Sequence, residues 1–333
     1  MELFVNVILL SFLLAIALAI VRMKDLFAVI MLAGIYGLLS ASFFVVVDAV
    51  DVAITEAAVG AGVFTLLMLV ATVMAGRYEQ GARHKPLLAL AVVFITGSLL
   101  IYGSLDMPAF GYGPAPDHQH VDSHYINESM SEVGVPNIVT AVLASYRGFD
   151  TLGELLVIFT AGVAVMALLS TLYDSHSNLG TGPENKWLYE QQMPIRLVVK
   201  ILIPFIMLFA FYIQFHGDYG PGGGFQAGLI LASAIILYAM LFGIRTAKQV
   251  ISPRFYQCLS AFGILLYGGV GVVALLNGEH FLDYSVLFTD PLAGQHVGIV
   301  LVELGIGCTV FSTMILIFLN FYERKNNQLD GCQ

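Results

Sequence analysis

Nine apolar runs recur along this chain, at 3–21, 26–47, 53–75, 86–105, 150–173, 197–215, 225–244, 255–276 and 296–321. Each is long enough to cross the hydrocarbon core as a helix, which takes about 20 residues. The pattern predicts an all-α, polytopic transmembrane bundle, because a membrane β-barrel would show short alternating segments in place of continuous apolar runs. Composition agrees, since 58% of the 333 residues are hydrophobic and only 11% are charged, against about a quarter charged in an ordinary soluble domain. The first run, within MELFVNVILLSFLLAIALAIVRMKD, lacks a basic leader and is too long for a signal h-region, so it reads as a retained span.

Basic residues give an independent reading of the spans, because cytoplasmic connections are enriched in them. Arg22 and Lys24 follow the first run, and Arg77, Arg83 and Lys85 follow the third. Lys186, Arg196 and Lys200 lie at or just beyond the segment after the fifth. Arg245, Lys248 and Arg254 follow the seventh, and Arg324 and Lys325 follow the ninth. Of the 14 basic residues only Arg147 falls elsewhere, which predicts the N-terminus outside and the C-terminus inside. The stretch 106–146 then reads as an outer loop, and 174–196, with Trp187 and Tyr189, as an inner linker.

Several chemistries have no footprint here. The net charge of −9 and the absence of a basic patch give no sign of a nucleic-acid partner. Cys258 and Cys308 lie within apolar runs and Cys332 near the end, so neither a disulfide framework nor a CxxC pair is indicated. P-loop, GxGxxG, GxSxG, HExxH and haem-attachment patterns are missing, and no enzyme activity or cofactor is expected. His118, His120 and His124, near Asp117 and Asp122, match no strong metal-ligand template and read as a solvated acidic loop. No resident metal is expected. The Asn127–Ser129 sequon is short enough to arise by chance.

Charges within the runs need a reason, since each costs at least about 2.5–3.5 kcal/mol at membrane depth. In DAVDVAITEAAVGAG, Asp51 reads as an N-cap beside Asp48. Glu56, about 10 Å in at about 1.5 Å per residue if the helix runs from about 49, reads as a buried, protonatable or ion-binding carboxylate. In SYRGFDTLGELLVIFTAG, Asp150 and Glu154 share a helix face with Arg147 one turn before Asp150. That pattern allows an interfacial salt bridge or a proton relay. Glu303, seven residues beyond His296, lacks a basic partner on its own span and reads as an ion- or proton-handling group. Lys200 can snorkel to the interface or act as an inner relay.

The remaining anomaly is HGDYGPGGGFQAG at 216–228, between the sixth and seventh runs. Together with the later VELGIG, it resembles the B-type component of the multisubunit Mrp-type sodium/proton antiporters, whose usual stretch is close to HGHxSPGGGFQGG. His216, Gly217, Pro221, Gly222, Gly223, Gly224, Phe225, Gln226 and Gly228 match that pattern, whereas Asp218, Gly220 and Ala227 depart from it. Asp218 replaces a histidine with an acid. DAVDVAITEAAVGAGVFT is similar to a D-type segment of membrane-bound hydrogenase-related complexes and to the C-terminal part of the antiporter's large A-type component, with Val50 in place of the usual proline. SYRGFDTLGE is similar to the adjoining E-type segment.

The resemblance implies a fusion: a D-type three-helix segment over 1–85, an E-type segment over 86–175 and a B-type four-helix domain over 190–325. It implies a membrane subunit of a monovalent cation (Na⁺)/proton antiporter in a bacterial cytoplasmic membrane. Partners would be the large A- and D-type and the small C-, E-, F- and G-type subunits, with Na⁺ and H⁺ as the transported ions. Glu56, Asp150 and Glu154 would be the family's carboxylates, with Asp51, Glu303 and Lys200 as further ion-path candidates. An ion-translocating membrane arm of a hydrogenase-like redox complex is the alternative, and a self-contained transporter built as an inverted repeat ranks last. The 216–228 stretch itself reads chiefly as a close-packed turn that meets a neighbouring subunit, with His216 and Asp218 on an ion path as the second reading.

Overall fold

The structure is a computed structural model that describes residues 2–79, 86–108, 112–113, 116, 119, 121–170 and 193–330. Among these residues, nine helices are long and apolar enough to cross a membrane, in agreement with the nine runs. No strand occurs among them, and the only pairing of that kind is an isolated bridge between Asp25 and Tyr78. Trp187, Tyr189, His118, His120 and Asp117 lie outside the described residues.

The N-terminal helices α1 (Glu2–Arg22) and α2 (Leu26–Val46) form an antiparallel pair. Asp25 starts α2 by accepting from the Phe27 amide at 3.1 Å, and it also pairs with Arg77 at 2.9 Å. The next span is continuous but not uniform: α3 (Val50–Glu56), a π-helical stretch π1 (Ala57–Val63) and α4 (Phe64–Ala75). A wide π turn inside an α-helix often marks a functional place. Here the small residues AAVGAGV let α2 close on it, since a methyl on Gly37 would sit 3.0 Å from the Gly60 backbone. α5 (Pro86–Ser104) starts with proline at its first position, where no intrahelical donor is lost.

The stretch 106–146, which the sequence presents as one outer loop, is partly built into the bundle. It contains α6 (Asp122–Glu132), the short α7 (Ile138–Thr140) and a second π stretch, π2 (Ala141–Tyr146). Val133, Val135, Ala141 and Ala144 belong to the main core. A break at Arg147 separates π2 from α8 (Gly148–Ser170) and exposes carbonyls that a continuous helix would have used. Two buried tyrosines bond carbonyls on either side of the break: Tyr284 donates to Ala144 O at 2.8 Å near the end of π2, and Tyr267 to Gly148 O at 2.7 Å at the start of α8.

The remaining elements are α9 (Met193–His216), α10 (Gly224–Phe242), α11 (Ile244–Val250), α12 (Pro253–Leu276), a 3-10 turn at Tyr284–Leu287 and α13 (Pro291–Asp330). Helix α13 is the axis of the fold. Within its apolar span 72% of the window is buried, against 44% for α10, 6% for α1 and none for α5. It packs against α8, α10 and α12, and Ile299, Val302, Val310, Ile315 and Phe318 are its almost fully covered core residues.

Candidate functional site

The glycine-rich loop at 217–223 is held by the chain's own helices. Gly223 has φ +117°, a conformation that glycine takes at little cost, and its amide donates to Ile213 O at 3.0 Å as α10 begins. A methyl on Gly224 would collide with Glu303 O, and one on Gly228 would lie 2.8 Å from Gly307 O. These glycines therefore let α10 lie directly on α13. The sequence pattern assigns the close approach to a neighbouring subunit, whereas the neighbour at these two positions is another helix of this chain.

Backbone that leaves a helix near membrane depth needs its polar groups satisfied. Asn137 supplies much of this. Its Nδ2 donates to Gly217 O at 3.1 Å and Gly220 O at 2.9 Å, and lies 3.4 Å from Asp51 Oδ1. Its Oδ1 accepts from the Val139 amide at 3.0 Å and so caps α7, while its own amide donates to Asp218 O at 3.0 Å. Thr140 donates its hydroxyl to Gly217 O at 2.7 Å. Neither residue stands out in the sequence, although Pro-Asn before an apolar run is a recognisable helix start.

Beside this loop is a cavity of about 300 Å³. Asp51 and Thr55 from α3, Thr140 from α7, Thr151 and Glu154 from α8, Gly222–Gly224 with Gln226, and Glu303 from α13 line it. Gln226 Nε2 donates to Thr55 Oγ1 at 2.8 Å, and Thr55 donates to Asp51 O at 2.9 Å, so α10 and α3 are joined along one wall. Glu303 is only 7% exposed, and no hydrogen bond or ion pair from a described residue reaches its carboxylate. Glu154 is exposed at the cavity's open side.

The other residues singled out in the sequence fall around this centre. Asp51 is not an N-cap. Ala49 occupies that position, which leaves the Asp51 carboxylate free to face the cavity and Asn137. Glu56, the residue after the cavity-lining Thr55, has its carboxylate over Gly60 on the α2 side and does not line the cavity. Asp150 pairs with Arg147 at 2.5 Å and is half-exposed, which is the interfacial salt bridge. Glu154, one turn later, is the member of that pattern that reaches the cavity. Lys200 is exposed on α9 and away from the cavity lining. His216 stacks on Tyr212 with centroids 4.8 Å apart. His124 pairs with Glu132 at 3.2 Å, and Tyr146 also donates to Glu132. Burial, then that bond, pushes the Tyr146 hydroxyl well above its ordinary pKa. Among the described residues no three histidine, cysteine or acidic groups converge as a metal site.

Asp218 is the residue whose surroundings differ most from expectation. It is 6% exposed, its Oδ2 lies 3.1 Å from His296 Nδ1, and its Oδ1 is buried without a hydrogen-bond partner. Burial raises the Asp218 carboxyl above the usual carboxylate range, and His296 acts in the opposite sense.

Nine helices long and apolar enough to cross a membrane, with Asp51, Glu154, Glu303, threonine hydroxyls and a glycine loop set among apolar side chains in one cavity, define a multi-pass membrane protein with a few polar groups in its bundle. Residues 194–316 match the model described as a domain related to the MnhB subunit of Na⁺/H⁺ antiporter, and residues 11–75 and 94–185 match the D and E subunits of MBH. An antiporter subunit named mnhB2 from Staphylococcus aureus (strain Newman) is 32% identical over 134 residues, covering 39% of this chain and 94% of the relative. The chain belongs to the MnhB family. A relative from Rhizobium meliloti (strain 1021), named as the A/B subunit of a probable K(+)/H(+) antiporter, is 24% identical over 315 residues, or 88% of this chain. The Mrp complex from Dietzia sp. DQ12-45-1b contains a chain of the same fold, with a TM-score of 0.71 over 93% of this chain at 24% identity. The membrane-bound sulfane sulfur reductase, an archaeal respiratory membrane complex, gives a TM-score of 0.53 at 29% identity, covering 71% of this chain and 97% of that one. The chain spans about a third of the length of the Rhizobium relative and of the Dietzia chain, 31% and 34% respectively.

Proposed function

We propose that this chain is a membrane subunit of a multisubunit monovalent cation/proton antiporter and contributes part of the cation/proton path. The observation that carries the reading is the convergence of Asp51, Glu154 and Glu303 on one cavity. Each comes from a different family-matched segment, 11–75, 94–185 and 194–316. Carboxylates placed together within a bundle are expensive unless they exchange protons or meet a cation, and proton routes in pumps and transporters are built from such groups. Threonine hydroxyls and the amide of Gln226 give the same space neutral oxygen groups that can replace part of a cation's hydration. Glu56, on the α2 side of the same span, is a further candidate for the route. Asp150 then acts as the anchor of the α8 terminus through Arg147.

In this reading the chain works in a bacterial cytoplasmic membrane with large A- and D-type and small C-, E-, F- and G-type partners, its N-terminus outside and C-terminus inside. Names of the relatives, an Na⁺/H⁺ family description and a K⁺/H⁺ antiporter, support monovalent cation exchange as the class. The matches to MBH subunits and to the sulfane sulfur reductase support a second setting, in which the same module serves a redox complex. Hydrogenase or iron–sulfur genes beside this one would favour that setting over the antiporter.

The test is cation-dependent dissipation of a pH gradient in everted vesicles that carry the whole complex. Glu303→Gln is expected to lower the initial rate by about 100-fold or more, the scale of a lost proton-transfer group, while the complex still assembles. A wild-type rate in Glu303→Gln and Glu154→Gln alike, with normal assembly, would remove the cavity from the path.

A further inference from the structure

We propose that His296 and Asp218 form a proton-loading branch that connects the exposed start of α13 to Glu303 in the cavity. His296 is half-exposed in this chain, with a side-chain exposure of 51%, whereas its partner Asp218 is at 8%. The imidazole meets Asp218 Oδ2 through Nδ1 at 3.1 Å, and about half of its side chain remains open. Asp218 Oδ1 is buried and accepts no hydrogen bond, a costly state for an ionised oxygen unless a proton or a donor visits it. Glu303 is the next acidic group inward. Its Oε1 lies so close to the loop that a methyl on Gly217, the residue before Asp218, would sit 3.1 Å from it. The two carboxylates also affect each other electrostatically.

Charge counting makes the branch specific. The titratable groups around Asp218 are His296 and Glu303 from α13, His216 at the end of α9, Tyr219 beside it in the loop, and Asp51 of α3 across the Asn137 amide. His216 is stacked on Tyr212, which leaves His296 as the imidazole in contact with Asp218. With two buried carboxyls close together, a proton on the pair is favoured over two negative charges. A proton enters on the other nitrogen of His296 while the Nδ1 proton passes to Asp218 Oδ2. Rotation of the resulting carboxylic acid, or a bridging water, presents that proton to Glu303, and His296 returns to neutral. Burial, the main influence on the Asp218 carboxyl, favours its protonated form, in keeping with this role. The branch rests on Glu303 handling protons in the cavity.

Carbodiimide modification of protonated carboxyls, read by mass spectrometry on the assembled complex in native membranes, follows Asp218 through a pH series without requiring transport. Asp218 is expected to be modified, and His296→Gln to extend its modification to higher pH by about one unit or more, because an opposite charge has been removed. Glu303→Gln is expected to shift the same profile to lower pH, because a like charge has been removed. In vesicles, Asp218→Asn is expected to slow proton-coupled transport by about 100-fold and to change its pH profile, with Asp218→His restoring most of the rate. The branch is overturned if Asp218 modification is unmoved by both variants, or if Asp218→Asn transports with wild-type rate and pH profile. Should Asp218→Asn fail to assemble, the His296→Gln profile decides. An unmoved profile alongside loss of transport in Glu303→Gln sinks the branch and leaves the cavity reading standing. A shifted profile with full transport in Glu303→Gln leaves the His296–Asp218 contact standing as an electrostatic pair but removes the cavity reading and, with it, the branch.

Discussion

At the scale of single residues, Asn137 has the largest structural share among the groups at the site. One side chain caps α7, holds two loop carbonyls and touches Asp51. Asn137→Ala leaves the Gly220 carbonyl without this donor and the Gly217 carbonyl with Thr140 alone. The expected cost is about 1–3 kcal/mol for groups left unsatisfied in partly buried surroundings, measured as a lowered thermal midpoint of the detergent-solubilised complex. Asn137→Asp keeps the cap but places a second carboxylate beside Asp51 and is expected to be less stable still, most clearly at high pH where both are ionised. A midpoint unchanged in both variants would show that the loop does not depend on Asn137. Glu303 and Glu154 are legible in the sequence because a charge in an apolar run stands out. Asn137 and Thr140 are not, since a neutral polar residue beside a span is common and only the fold reveals which carbonyls it serves. Asp51 misleads as a cap for a similar reason: its helix begins two residues earlier than the pattern suggests, and the carboxylate lines the cavity.

Among elements, the contact of α10 with α13 sets the geometry of the cavity, because it fixes Gln226 and Glu303 relative to one another. That contact depends on glycines. A Cβ at Gly224 would meet the Glu303 carbonyl and one at Gly228 the Gly307 carbonyl, both helix backbone that cannot swing aside. Gly224→Ala and Gly228→Ala are each expected to destabilise the protein by about 1–3 kcal/mol through overpacking, seen as reduced assembled complex on native gels. Gly268→Ala, whose added methyl meets open space within α12, is the control and is expected to assemble normally. Equal assembly of all three would mean that α10 and α13 are not held at this distance. The apolar runs predict the helices, and the PGGG stretch predicts a turn between two of them. The two π stretches are not legible, because AAVGAGV and AVLASY have the same small apolar character as ordinary spanning helix. The wider turn is accompanied by a local bond, Thr65 donating to Gly60 O five residues back at 3.1 Å, and by the tertiary approach of Gly37 to the Gly60 backbone. For the same reason, 106–146 looks like a loop by composition although its second half joins the core.

For the whole molecule, the pairing of helix ends leads to a prediction about sidedness. Asp25 and Arg77 meet at one end of the N-terminal helices, and Asp51, Asn137 and Gly217 meet at the other. If each of the nine candidate spans among the described helices crosses once and nothing else does, the two ends of the described chain would lie on opposite faces. Basic residues cluster after the odd-numbered spans, and cytoplasmic connections retain such residues because translocating them is disfavoured. The end that carries Arg77 should therefore be cytoplasmic, and the end that carries Asn137 and the glycine loop should face outward. Single cysteines introduced into a chain whose 3 native cysteines have been replaced can test this. Ser123→Cys and Tyr219→Cys are expected to react with an impermeant maleimide added to intact cells, whereas Glu79→Cys and Gln249→Cys should react only after the cells are opened. All four positions are exposed in this chain, and a permeant maleimide applied in parallel separates sidedness from cover by neighbouring subunits. The reverse pattern would invert the assigned orientation. Labelling from outside at one member of each pair would mean that the alternation of spans is broken between them. If the expected pattern holds, the exposed edge of the His296–Asp218 pair meets the outer solution, and a proton entering there approaches Glu303 from the side opposite the basic loops.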